Sequence, residues 1–336
     1  FPAPAMNKFE RIKAAIHREP VDRIPYALWR HFPEVDRSPA GLAQATLRFH
    51  QRYGSDFLKL TPAAGYAVED WGCVESDTVM PGGNRPCASH AVNTAADWKK
   101  IKPLDIVSSA YGREVETLIR VIVDRRADAP VVPTLFSPLT LARKLSGDRL
   151  NQDLRERPEA VVEALEAITD TLIRFAAMCI AEEAAGIFYA IQSASRRFHT
   201  EEEYAEFGEP YDRRLLESVM ERAHLVIVHC HGDELLFDRL ARLPAHAWNW
   251  DDRVAGPFLA EGKARVEGAV IGGVNQWATL RDGTADEVRA EATDATEQTD
   301  GIGVIVGAGC VLPVGVTDEN VVALVKALGG TVRMLL

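Results

Sequence analysis

Short apolar runs recur along the chain, and a helix-like pattern of apolar positions follows most of them. Apolar residues are continuous within the runs, which is typical of parallel strands that are covered on both faces. We therefore predict eight strands, at residues 26–28, 57–60, 131–135, 186–191, 225–229, 247–250, 269–274 and 304–307.

Helix start signals separate these runs. Ser38 and Ser137 are each followed by proline, a pair typical of an N-cap and the first helical position. Thr200 and Glu203 have the spacing of a capping box. The helices predicted from such patterns span residues 41–53, 139–145, 158–185, 200 onwards with an interruption at 208–210, 285–299 and 318–328.

Alternating strands and helices predict an α/β fold with a parallel sheet. Eight strands favour a closed (β/α)8 TIM barrel over a dinucleotide-binding open sheet, because neither GxGxxG nor GxxxxGK[ST] occurs. Residues 62–103 are too long for a simple loop, so we expect an inserted lid after strand 2. We expect residues 6–336 to form this single domain and residues 1–5, which precede Met6, to be an added remnant.

Composition narrows the function classes. The 336 residues are 47% hydrophobic and 26% charged, as in an ordinary globular protein. The net charge of −11 without a basic block argues against nucleic acid or an anionic membrane as a partner. Five cysteines without CxxC spacing argue against disulfides and favour a cytoplasmic protein. No apolar stretch reaches the roughly 18 residues of a membrane span.

Two histidines, His229 and His231, stand where the fifth predicted strand ends. Side chains alternate along an extended chain, so both imidazoles can point the same way. Cys310 follows the eighth strand, and the strand ends of a barrel meet at one rim. Two imidazoles and one thiolate make an open zinc site with a free position for substrate. The alternative is that the histidines bind loop backbone and Cys310 is a small buried apolar residue.

Charged residues follow other strands. Asp251 is a candidate general base or substrate anchor, and an ion pair with Arg253 is the alternative. Arg30 and His31 follow the first strand, where an arginine can grip a carboxylate through two hydrogen bonds. Lys59 lies within an apolar strand, so we expect it either to pair with an acid or to face the site.

Three further residues are candidates for the substrate end. Gln192 ends the fourth strand and can hydrogen-bond substrate, with a structural amide as the alternative. Tyr66 and Trp71 are candidates for contacts from the lid, although Trp71 fits the core of the insertion equally well.

Four segments resemble the uroporphyrinogen decarboxylase superfamily and together cover nearly the whole chain. They are MNKFERIKAAIHREPVDRIP, SPLTLARKLSG, EEEYAEFGEPYDRRLLE and GCVLPVGVTDENVVALVKAL. The resemblance implies a (β/α)8 barrel, commonly a homodimer in the true decarboxylases. It also implies one of two chemistries, decarboxylation without a cofactor or corrinoid-linked methyl transfer.

The decarboxylase motifs are incomplete in this sequence. Arg30 matches the first of two arginines that follow strand 1 in the true decarboxylases, but Glu34 stands at the second. Their tyrosine after T-L falls on Lys144 and their late histidine on Gly309, while their strand-2 acid has no match in LTPAAGY. A porphyrinogen with eight carboxylates needs several cations, so these residues favour the other chemistry.

The corrinoid-linked methyltransferases are similar in carrying H-x-C-G and a late G-x-G-C that bind zinc. HCHGD and GAGC match these positions, which implies His229, His231 and Cys310 as ligands, with His231 replacing the middle cysteine. In that branch zinc activates a thiol acceptor as the thiolate. The imidazole at 231 makes the zinc more electrophilic and the bound thiolate less nucleophilic, so a demethylase-like or hydrolytic variant stays open.

The sequence therefore predicts a cytoplasmic barrel enzyme for zinc-dependent methyl transfer or demethylation of a small-molecule substrate, with a corrinoid carried by a partner protein. Asp251 and His231 are the predicted catalytic residues. The predicted substrate-binding residues are Arg30, His31, Lys59, Tyr66, Trp71 and Gln192. The first alternative is a cofactor-free uroporphyrinogen decarboxylase, a lyase of porphyrin biosynthesis, and the second is a non-catalytic small-molecule binder.

Overall fold

The computed structural model of the protein describes residues 5–124 and 126–334, so residues 1–4 of the expected N-terminal remnant lie outside it. Its strands are β1 (Tyr26–Ala27), β2 (Leu58–Lys59), β3 (Val74–Glu75), β4 (Cys87–Ser89), β5 (Val131–Val132), β6 (Thr134–Phe136), β7 (Gly186–Ile191), β8 (Leu225–Cys230), β9 (Ala247–Trp250), β10 (Ala269–Val274) and β11 (Val304–Ala308). Seven of them form a curled parallel sheet in the order β1-β11-β10-β9-β8-β7-β6. β2 and β5 form a parallel pair, and β3 and β4 an antiparallel pair.

Each predicted strand occurs, and β7, β9 and β10 have the predicted bounds. The run predicted at 131–135 is divided, because Pro133 has no N–H for the ladder and separates β5 from β6. β5 pairs with β2 and β6 with β7, so this run connects the two parallel sheets. At the opposite edge the Asp56 amide donates to the Tyr26 carbonyl at 2.8 Å. Closure into a complete (β/α)8 barrel stays a prediction.

Helices follow most of the parallel strands. They are α1 (Lys8–Ile16), α2 (Pro39–Tyr53), α3 (Ala110–Ile122), α4 (Pro138–Ser146), α5 (Arg149–Glu156), α6 (Pro158–Ala181), α7 (Glu201–Phe207), α8 (Glu209–Met220), α9 (Phe237–Leu240), α10 (Leu259–Arg265), α11 (Ala285–Gln298) and α12 (Asp318–Ala327). Ser38, Ser137 and Thr200 accept hydrogen bonds from the first turns, as predicted. Among the described residues, no helix is long and apolar enough to cross a membrane.

The segment at 62–103 contains the β3–β4 hairpin and three 3-10 helices, Ala64–Ala67, Glu69–Trp71 and Ala95–Lys100. Its inner part is tied to the rest of the protein, because Trp98 is fully buried and donates from Nε1 to Asp153 at 2.7 Å. The hairpin itself is largely exposed. Its action as a lid stays a prediction.

Residues on the inner side of the curled sheet alternate with residues that face the helices. Within β8, Leu225 and Ile227 belong to an inner apolar cluster, whereas Val226 and Val228 pack in the outer core. Because this period of two continues to the end of the strand, positions 229 and 231 lie on the inner side. Cys230 belongs to the outer core. The strand pattern thus directs both imidazoles toward the carboxyl-end rim of the sheet.

Candidate metal centre and substrate cavity

The two histidines and Cys310 meet at the carboxyl ends of β8 and β11. The Cys310 sulfur lies 3.6 Å from His229 Nε2 and 3.6 Å from His231 Nδ1. All three ligand atoms lie within 4.8 Å of one another. A tetrahedral zinc with bonds of roughly 2.3 Å to sulfur and roughly 2.0–2.1 Å to nitrogen separates such ligands by about 3.5 Å. The donor types and the spacing therefore both fit zinc.

Asn249 fixes the orientation of His229. The Asn249 Nδ2 donates to the carbonyls of Ile271 at 3.0 Å and Ala308 at 3.2 Å, so its Oδ1 faces the histidine. His229 Nδ1 lies 2.6 Å from that oxygen and must donate to it. The ring proton is then on Nδ1, and the lone pair on Nε2 faces Cys310.

The histidines control the charge of the thiol. Burial raises the pKa of Cys310, but charge and hydrogen bonding from His229 and His231 outweigh this and hold the pKa well below its usual range. Desolvation lowers the pKa of His231, and the bond to Cys310 reverses this to a net rise. A lowered pKa favours release of the Cys310 proton, and the thiolate is the form that binds metals.

A cavity of about 240 Å³ opens beside the metal-ligand cluster. Its walls combine aromatic rings with a few polar side chains, which is the usual composition of a small-molecule site. The polar residues in its lining are His31, Lys59, Thr61, Asn84, Thr134, Lys144, Gln192, His229, His231 and Cys310.

Two lysines give this cavity a positive character. Lys59 Nζ lies 4.6 Å from the centre of the Phe188 ring and donates to Thr61 at 3.2 Å. Lys144 Nζ lies 4.8 Å from the centre of the Phe136 ring. Burial lowers the pKa of Lys59 to about 7 and also lowers the pKa of Lys144. Among the described residues, neither ammonium has a carboxylate within salt-bridge distance.

His31 and Gln192 complete the predicted substrate end. Burial, together with the charge of Lys59, lowers the pKa of His31 to about 3, so its imidazole is neutral. The backbone N–H of Gln192 donates to the hydroxyl of Thr140 at 2.9 Å, while the Gln192 side chain lines the cavity. The structure therefore brings His31, Lys59 and Gln192 to the cluster of His229, His231 and Cys310.

Three predicted substrate-binding residues lie elsewhere. Arg30 lines an adjoining cleft, where its guanidinium lies 5.7 Å from the Phe32 ring centre. Tyr66 donates to the Thr134 carbonyl at 2.6 Å and packs against Tyr111 in the aromatic core. Trp71 donates to the Lys102 carbonyl at 2.8 Å, which matches the alternative that it belongs to the core of the insertion.

Asp251 lies beside the cluster rather than in the cavity wall. Its Oδ2 accepts from Gln276 at 2.7 Å, and burial raises its pKa. It packs against Gly309, where an added Cβ would lie 2.4 Å from the Asp251 Cα. Arg253 contacts Asp252 at 3.7 Å rather than Asp251. The ion pair expected as the alternative for Asp251 therefore falls on its neighbour.

Two residues of the site, Asn249 and Lys144, were not predicted from the sequence to have a role in it. Asn249 is the one amide in the buried strand β9, and a polar residue inside an apolar run was the available signal. Lys144 lies in the amphipathic helix α4, and in the sequence it stands out only as a departure from the decarboxylase pattern. The position of the Lys144 side chain in the cavity wall follows from the packing of α4 and not from a local sequence pattern.

The fold and the site define an α/β protein whose polar cavity lies at the carboxyl ends of parallel strands. The sequence model of the Uroporphyrinogen decarboxylase (URO-D) family matches residues 7–330. The chain therefore belongs to the uroporphyrinogen decarboxylase family, whose characterised members are enzymes.

Similar proteins carry both chemistries of this superfamily. Methylcobamide:CoM methyltransferase MtbA of Methanosarcina mazei is 22% identical over 324 residues, which are 90% of this chain and 92% of the relative. Uroporphyrinogen decarboxylase of Anaeromyxobacter dehalogenans is 26% identical over 347 residues, which cover 95% of this chain and 97% of the relative. A solved methyltransferase from Methanosarcina mazei has a TM-score of 0.78 at 21% identity and covers 96% of this chain and 98% of its own. That structural likeness shows the fold.

Proposed function

We propose that the protein transfers a methyl group to a small anionic thiol at a zinc ion held by His229, His231 and Cys310. The observation that carries this proposal is the position of Cys310 Sγ, 3.6 Å from a nitrogen of each histidine, beside a cavity that contains two lysines. The methyl donor is a corrinoid carried by a partner protein, as the name of the methylcobamide-dependent relatives suggests.

The chain's own residues prepare the metal site. Asn249 holds the proton of His229 on Nδ1 and leaves Nε2 free to bind the metal. Cys310 would supply a thiolate, because a cysteine releases its proton when it binds a metal ion. Bound zinc lowers the pKa of a thiol ligand, so that the acceptor is present as a thiolate. Three protein ligands leave a fourth position for that acceptor.

The two lysines would bind the end of the acceptor that is opposite its thiol group. Lys59 is buried and Lys144 is half-buried, and burial lowers the pKa of both side chains. An anionic group on the substrate would offset the cost of removing these cations from water. CoM, the acceptor in the name of the methyltransferase relatives, is a small thiol that carries a sulfonate. We assign His31 and Gln192 to hydrogen bonding of this acidic group.

Asp251 is our candidate for the base that accepts the acceptor's thiol proton. Its raised pKa, which results mainly from burial, improves proton acceptance near neutral pH. Its Oδ1 has no hydrogen-bond partner among the described residues, so this oxygen is free to receive a proton. For the architecture we propose a single closed barrel over residues 6–336, with the segment 62–103 over its mouth.

Uroporphyrinogen decarboxylation is the second candidate, because a relative of that name matches 95% of the chain. The size of the cavity opposes it. At about 240 Å³ the cavity is smaller than the roughly 300–1,000 Å³ of pockets for drug-sized ligands, and a tetrapyrrole is larger than such ligands. Arg30, which could have held a carboxylate, faces the adjoining cleft.

The test combines zinc analysis with two activity assays. We expect methyl transfer from methylcobalamin to CoM by the zinc-loaded wild type, and a loss of at least ~100-fold in Cys310→Ala. Cys230→Ala is the matched control, because Cys230 neighbours His229 but faces the outer core. Turnover of uroporphyrinogen by metal-free protein would establish the decarboxylase instead. Absence of both activities would leave the non-catalytic binder.

A further inference from the structure

Cys73, Cys87 and His90 form a second cluster of metal-ligand atoms, outside the lining of the substrate cavity. One ligand atom from each of the three residues lies within 4.8 Å of the other two. Cys87 Sγ lies 3.5 Å from His90 Nδ1, which matches the separation of about 3.5 Å between sulfur and nitrogen ligands of a tetrahedral zinc. Two thiols and an imidazole favour zinc over magnesium or calcium.

The β3–β4 hairpin brings these residues together. Cys73 immediately precedes β3, Cys87 begins β4, and His90 immediately follows β4. The antiparallel register, with Val74 opposite Ser89, places both ends of the hairpin side by side. Cys87 and His90 are three residues apart, at the start of β4 and just beyond its end, and both types of side chain are zinc ligands.

The end of helix α4 forms the other side of the cluster. The Lys144 carbonyl accepts from His90 at 2.9 Å and from Cys73 at 3.6 Å. Gly147 has φ +59°, and an added Cβ there would lie 2.8 Å from His90 Nε2, so only glycine admits the ring in this position. A separate cavity of about 50 Å³ opens beside the cluster and is lined by Cys73, Cys87 and Lys144.

We propose that Cys73, Cys87 and His90 bind a structural zinc ion that joins the two ends of the β3–β4 hairpin. The two thiols release their protons, and His90 binds through Nδ1 with its own proton on Nε2. These metal bonds replace the two hydrogen bonds to the Lys144 carbonyl. This site is independent of the proposed methyl transfer.

Zinc content of matched variants tests the site. We expect about two zinc ions per wild-type chain, one in Cys310→Ala, one in Cys87→Ala, and none in the double variant. Cys87 is exposed, so its replacement by alanine leaves the fold intact. Cys179→Ala is the control, since this buried cysteine of α6 belongs to neither cluster and its loss leaves both ions bound.

Cobalt substitution supplies an independent readout. In the Cys310→Ala background we expect thiolate-to-cobalt charge-transfer absorption that disappears with Cys87→Ala. A zinc count unchanged by Cys87→Ala overturns the proposal, as does a Cys73–Cys87 disulfide in protein purified with zinc under reducing conditions. If the first centre binds no zinc, the count stays at one in Cys310→Ala and still falls to zero in Cys87→Ala. The two proposals therefore fail separately.

Discussion

The Oδ1 of Asn249 lies 2.6 Å from Nδ1 of His229, and the same amide group is held by two backbone carbonyls. A metal-binding histidine depends on such a partner for its tautomer and ring orientation. The amide acts from a neighbouring strand, because Asn249 and His229 are in register across β8 and β9.

Asn249→Ala should weaken zinc binding at the first centre by roughly 10- to 100-fold, because His229 loses the acceptor of its Nδ1 proton. Competition with a chromophoric chelator measures this affinity. The measurement uses the Cys87→Ala background, so that zinc bound at the second proposed centre does not contribute to the signal. Asn320→Ala is the control, since Asn320 is a buried amide that also donates to two carbonyls, far from the site. Equal affinities in the two variants would contradict the assigned role of Asn249.

Lys59 should make binding of an anionic ligand pH-dependent. Its pKa of about 7 means that the ammonium is charged below this pH and neutral above it, so affinity falls as pH rises through 7. S-methylated CoM is the suitable ligand, because its sulfur does not titrate, and its Kd is measured by calorimetry. Lys59→Met should weaken binding by roughly 10-fold at pH 6 and remove the pH dependence. Lys59→Arg should retain binding at high pH; a pH-independent wild-type Kd would refute the assignment.

Glu114 should lower stability as pH rises. Burial raises its pKa from 4.5 to about 8, so between these values the folded state holds a proton that the unfolded state has lost. The free energy of unfolding therefore decreases over this range, and the contribution is fully present only below the unfolded value. In urea unfolding, the free energy of unfolding of Glu114→Gln should exceed that of the wild type by more than ~1 kcal/mol at pH 8. Near pH 4.5 the two free energies should be equal. Glu116→Gln, on the exposed face of α3, should show no such difference.

Asp56→Ala should destabilise the protein by roughly 3 kcal/mol, because it removes one carboxylate acceptor from the buried Arg11 and from Arg23 and leaves the Tyr26 amide unpaired. Asp56 is fully buried and accepts from Arg11 at 2.7 Å, from Arg23 at 2.8 Å and from the Tyr26 amide at 2.9 Å. Urea unfolding at pH 7 measures the loss. Glu261→Ala removes an exposed ion pair with Arg265 and should cost less than ~0.5 kcal/mol. A comparable loss in both variants would contradict the role given to burial.

The strands and the proximity of His229, His231 and Cys310 could be predicted from the sequence for a common physical reason. Buried parallel strands are continuous apolar runs, and β7, β9 and β10 begin and end where those runs do. Alternation along β8 then places His229 and His231 on one side. To predict that Cys310 lies beside the two histidines, we had to assume in addition that the ends of β8 and β11 lie at the same rim of the barrel.

Other features depend on packing that no local pattern encodes. The guanidinium of Arg30 turns toward Phe32, and Tyr66 donates into the core, although both have sequence positions suitable for the site. The cluster of Cys73, Cys87 and His90 rests on a hairpin whose strands are two and three residues long and too short to show alternation. The helix α3 was not predicted, since it lies where the inserted segment obscures the repeat.

Gly309 leaves no room for a side chain beside Asp251. By resemblance, the decarboxylases place a histidine here, whereas in this protein the main chain of Asp251 lies 2.4 Å from where a Cβ would be. An imidazole at 309 and the present course of residue 251 are sterically incompatible. A side chain at 309 would therefore require residue 251 to move, and this movement would also disturb the adjacent Cys310.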